Sequence, residues 1–99
     1  METHDFIKQD MSSLRSLAIG TDRDVVEALA DDRLSMYARM AMKDKLKIAR
    51  EKGRGGWWNA DECDIAYLRE QLQQHIEKGD MVDVMNFAAM IYVRECADT

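Results

Sequence analysis

An all-α fold is predicted, a four- or five-helix bundle closed by a C-terminal helical hairpin with the last helix central. Three observations carry that prediction. The 99 residues include no proline, the residue that most reliably interrupts helices. The glycines fall between stretches whose apolar residues recur three and four positions apart, the spacing that gathers side chains on one helical face. The run VMNFAAMIYV, Val84 to Val93, is apolar on nearly every side, as befits a helix buried in a bundle or a subunit interface. A chain of this length makes one domain at most, residues 1–99, and can bury roughly 60–70% of its unfolded surface.

The first helix is expected over Asp5 to Ala18, where Phe6, Ile7, Met11, Leu14 and Ala18 share a face and Gly20 stops the run. Thr21-Asp22-Arg23-Asp24 then resembles a capping box, with the Thr21 hydroxyl accepting an orphan backbone N–H. Val25, Val26 and Leu29 define the face that follows. Past Asp31-Asp32-Arg33 that phase does not meet the stripe of Leu34, Ala38, Ala41, Met42, Leu46 and Ala49, so a break near Ala30 is favoured over a single bent helix. After GRGGWW, the Asn59 and Glu62 pair suggests another N-terminal box, leading into the stripe Ile65, Leu68, Leu72 and Ile76. Lys78-Gly79 ends that helix, and Asp80 caps the last one, Met81 to about Glu95. So short a joint folds the last two helices into a hairpin or a sharp corner.

The formal net charge of −5 is unevenly placed. From Lys43 to Arg54 six basic residues face only Asp44 and Glu51, a local +4, which leaves −9 for the rest. Such asymmetry bears on partner choice more than on fold. Cys63 and Cys96, without CxxC spacing, are expected to be free thiols in a cytoplasmic protein. The longest apolar run, Phe87 to Val93, is far short of the roughly 20 residues of a membrane span.

Few features offer chemistry. GRGGWW beside a basic helix reads first as a helix stop followed by a hydrophobic plug. Its functional alternative is a contact site formed by Arg54, Trp57 and Trp58, with a protein partner preferred and nucleic acid unlikely. Met36, Met40, Met42, Met81, Met85 and Met90 read as core filling. His75 reads as a solvated histidine at a helix C-terminus, since no HxxxH, HExxH or Cys/His cluster accompanies it. Glu70, Glu77, Asp80 and Asp83 surround the hairpin and could hold Mg²⁺, although Asp80 and Asp83 also suit a cap and a first turn. No Walker loop, GxGxxG or serine–histidine–aspartate arrangement is present. Catalysis would therefore have to be metal-assisted.

From Arg50 to Arg94, the pattern AREKGRGGWWNADEC followed by LREQLQQHIEKGDMVDVMNFAAMI resembles a segment of small phage- and prophage-encoded proteins. That segment carries a GRGGW element, a cysteine and an HxxKGDxVDVxNFxxM element. More remotely, the helix–KGD–helix layout is similar to half of the MazG-like all-α NTP pyrophosphatases. Their Mg²⁺-binding pairs would fall on Glu70 with Gln73 and on Asp80 with Asp83, a glutamine replacing one expected carboxylate.

The expectation is thus a non-enzymatic phage or mobile-element accessory protein that binds a host or phage protein, with inhibition of a host defence complex as one concrete form. It needs no cofactor and could be a homodimer through its last helix. The alternative is a MazG-like nucleotide-binding protein with Mg²⁺ on Glu70, Glu77, Asp80 and Asp83.

Overall fold

The computed structural model describes residues 1–99 and is entirely helical. Its elements are α1 (Thr3–Ala18), α2 (Arg23–Glu51), α3 (Ile65–Lys78) and α4 (Met81–Ala97). The chain divides into two compact units, Met1–Ala41 and Met42–Thr99.

In the first unit, the predicted stripe of α1 is the half-buried one: Phe6, Ile7, Met11, Leu14 and Ala18. Tyr37 is buried and meets Phe6 edge-to-face at 6.4 Å between ring centroids. Its hydroxyl donates to the Asp10 carboxylate, which also lies 3.2 Å from Arg33 Nε. The expected break near Ala30 does not occur, and α2 runs unbroken for 29 residues. Asp31-Asp32-Arg33 interrupts the apolar phase without interrupting the helix, because Asp31 and Asp32 lie exposed and Arg33 finds Asp10 on α1. Thr21 does not cap α2 either. Its hydroxyl donates back to the Leu17 carbonyl at 2.5 Å, which closes the end of α1 instead.

In the second unit, α2 ends in a Schellman turn. Gly53 N–H bonds the Arg50 carbonyl and Arg54 N–H the Ala49 carbonyl, both at 2.9 Å. The turn needs the left-handed backbone that Gly53 supplies at φ 79°. The expected helix start at Asn59 is displaced to Asp64, whose side chain accepts from Ala66 N–H at 3.1 Å. Asn59 forms a local turn, its side chain accepting from Asp61 N–H at 3.0 Å. Asp64 wins because Ile65 and Leu68 begin the buried face directly after it.

The hairpin is built as the sequence predicts. Gly79 adopts φ 76° at the end of α3, and the Asp80 side chain accepts from Asp83 N–H at 3.3 Å at the start of α4. Helices α3 and α4 then pack along each other. Leu68 is the most deeply buried side chain, 1% exposed. Helix α4 contributes Asn86, Ile91 and Arg94 to the buried set on the side that packs with α3, while Tyr92 and Val93 remain exposed on its other side, so the helix is not buried all round. Met81, expected in the core, is 55% exposed. The other five methionines of that group are half-buried.

Candidate functional site

The loop between α2 and α3 is held from beneath by one residue. Arg94, on α4, is buried to 4% exposure, and its Nη1 donates to the carbonyls of Trp57 and Cys63, both at 2.8 Å. Its Nε donates to Asp98 at 3.0 Å, one turn along the same helix. A buried guanidinium is costly unless its donors are matched, and these three acceptors take three of its five N–H groups, those of Nη1 and Nε. Because the two carbonyls belong to opposite ends of the Trp57–Cys63 segment, one side chain fixes both ends of that segment, the second half of the loop.

The two tryptophans divide on this frame. Trp57 is half-buried, as a plug would be. Trp58 is 66% exposed, so the plug reading holds for one ring only. A turn closes around them, with Asn59 N–H bonded to the Gly56 carbonyl at 3.1 Å. Arg54 is exposed on the preceding strand of loop. Of the predicted contact residues, Arg54 and Trp58 face outward and Trp57 joins the support.

The carboxylates around the hairpin do not gather as the metal reading requires. Glu70 and Glu77 are exposed and accept from Gln74 and Gln73, one turn away on their own helix, each at 3.4 Å. Asp80 and Asp83 do meet, but the cation between them is the Lys45 ammonium of α2, 3.5 Å from each. No group of three or more His, Cys, Asp or Glu side chains is arranged to hold a metal ion. When one of the two carboxyls is protonated, the hydrogen bond it makes to the other draws them apart in acidity. Asp80 lies below its ordinary value, chiefly because it accepts that bond, aided by the Asp83 backbone N–H and by Lys45. Asp83 lies above, chiefly because burial disfavours its charge and because it donates to Asp80.

His75 belongs to the same cluster and is not solvated. Its side chain is 16% exposed, with Nε2 3.6 Å from Asp83 Oδ2 and the ring edge-on to Phe87 at 5.0 Å. Its Nδ1 is buried without a hydrogen-bond partner. Ile76, expected on the buried face, is instead 45% exposed. The hairpin turns α3 so that the imidazole, and not the isoleucine beside it, meets Phe87 and Asp83 of α4.

Three polar residues that organise this unit were missed: Arg94, Lys45 and Asn86 as a tie to α2, its amide donating to the Met42 carbonyl at 3.4 Å. A signal existed for two of them. Asn86 is the one strongly polar residue in an apolar run, and Arg94 stands four residues before Asp98. Both cysteines are free, as expected. No helix is long and apolar enough to cross a membrane. Against family models, curated proteins and solved structures, the chain finds no match.

Proposed function

We propose that the chain is a non-enzymatic protein-binding module that presents Trp58 as its anchor. The observation that carries this reading is the pairing of a 66% exposed tryptophan with a segment, Trp57–Cys63, fastened at both ends by the buried Arg94. Exposed aromatic rings on flexible loops lose much of their contact energy to ordering. A ring on a pinned loop loses less, and tryptophan is among the residues that dominate interface energetics. The Arg50–Arg94 likeness to small phage-encoded proteins supports a host or phage protein as the partner. The Lys45 ammonium between Asp80 and Asp83 weighs against the nucleotide-hydrolysing alternative, since it already occupies the place between the carboxylates that Mg²⁺ would bridge.

The test is affinity capture from a bacterial lysate with the wild-type chain and with Trp58→Ala as baits, their helicity matched by circular dichroism. A protein retained by the first and lost from the second is expected. Equal retention by both baits, or none by either, would overturn the reading.

A further inference from the structure

We infer that the basic face of α2 in the second unit, formed by Lys43, Lys47 and Arg50 and continued by Arg54, docks an acidic helix of the protein partner; the inference rests on the protein-binding reading above. The cations of this run are sorted by the fold. Lys45 turns inward to Asp80 and Asp83, whereas Lys43, Lys47, Arg50 and Arg54 are exposed, as is Lys52 off their line. Lys43, Lys47 and Arg50 stand at i, i+4 and i+7, so they form one line on the helix, about 10 Å long at ~1.5 Å per residue. The ion pair within that line, Lys47 with Glu51 at 3.9 Å, joins side chains 70% and 63% exposed and is easily exchanged for a partner's carboxylate. The Schellman turn at Gly53 then delivers Arg54, and the pinned loop presents Trp58 four residues later. Cationic line and aromatic anchor are thus consecutive on one backbone.

The spacing selects the partner. Carboxylates one turn apart on a helix lying alongside α2 meet these cations at matching intervals, as charged flanking positions do between paired helices. A polyphosphate chain fits less well. The exposed Asp61, Glu62 and Asp64 follow Trp58, so a polyanion continuing from the basic line past Trp58 would meet carboxylates along its path, whereas a helix confined to residues 43–54 would not reach them. The sequence pI of about 4.9 is also far from the basic range of nucleic-acid-binding domains.

The experiment is a ¹H–¹⁵N titration of the full 99-residue chain with a synthetic helix-forming peptide bearing glutamates at i, i+4 and i+7. An isomer of equal composition, with its glutamates spread around the helix, and a single-stranded DNA of equal charge are titrated in parallel. Shifts concentrated at residues 43–54, at least tenfold weaker binding of the isomer, and loss of the shifts in Lys43→Glu/Lys47→Glu/Arg50→Glu are expected. The single variant Lys47→Glu guards against a folding defect, because a peptide with lysine at the facing position should restore its shifts. Equal binding of the isomer, shifts elsewhere on the chain, or tighter binding of the DNA at physiological salt would overturn the inference. The two proposals fail separately. If lysate capture still requires Trp58 but survives the triple charge reversal, the module reading stands and the docking helix falls.

Discussion

Arg94 Nη1 lies 2.8 Å from the Trp57 carbonyl, so α4 sets the position of the peptide unit that leads into the exposed Trp58. Removing the guanidinium should therefore loosen the loop as well as lower stability. Three hydrogen bonds from a charged donor are lost in Arg94→Met, and the two to the backbone carbonyls alone represent a cost of about 3 kcal/mol. The expected readout is a lower urea midpoint together with a fall in the steady-state fluorescence anisotropy of the tryptophans while the chain is still folded. Unchanged anisotropy would show that the loop is held by other contacts.

The Asp80 and Asp83 pair predicts a two-sided pH dependence. Asp80, held below its ordinary value of 3.8, contributes stability that is present above that value and lost as pH falls through its lowered pKa. Asp83, raised above 3.8, contributes stability that is present below that value and lost as pH rises through its raised pKa. The pair's joint contribution therefore peaks near the ordinary carboxylate value and declines on both sides. In thermal melts over a pH series, Asp83→Asn should keep the lower limb and abolish the upper one. An unchanged upper limb in that variant would assign the decline to other groups.

Leu68 has no route to solvent, and the buried apolar set of the second unit is small. Leu68→Ala should cost about 2–5 kcal/mol, a large part of the ~5–15 kcal/mol typical of a folded domain. Urea denaturation should show a lower midpoint with an unchanged slope. A loss under about 1 kcal/mol would mean that α3 and α4 collapse into the vacated space.

Tyr37 ionises above its ordinary value of 10.0, because burial disfavours the phenolate and the Asp10 carboxylate both accepts its proton and repels its charge, with Arg33 opposing them in part. Ultraviolet titration should show a tyrosine step above pH 10.0 that belongs to Tyr37. Tyr37→Phe should remove that late step and cost about 1 kcal/mol, since Asp10 keeps Arg33 as a partner.

What could be read from the sequence was what is decided within a few residues. The stripe of α1, the glycine stop at Gly53 and the Gly79-Asp80 corner were all legible because each depends on local spacing, a backbone requirement or a cap. The continuity of α2 through Asp31-Asp32-Arg33 was not, since it is stabilised by Asp10, more than 20 residues away. The exchange of His75 for Ile76 on the buried face has the same origin, as its cause is Phe87 and Asp83 on another helix. Arg94 shows the limit most plainly: a charged residue near a chain end reads as surface, and only the fold reveals that two backbone carbonyls lie above it.

The unbroken course of α2 has a consequence for how the chain can be divided. Its two compact units meet between Ala41 and Met42, in the interior of a hydrogen-bonded helix and not at a linker. Severing the chain there would create two raw helix ends, each leaving up to four backbone groups without intrahelical partners. A fragment starting at Met42 would open with uncapped amides immediately beside Lys43, a repulsive arrangement of positive dipole and positive side chain. Any transplant of the second unit into another protein would therefore need a new capping residue ahead of it, or a host helix in register to continue.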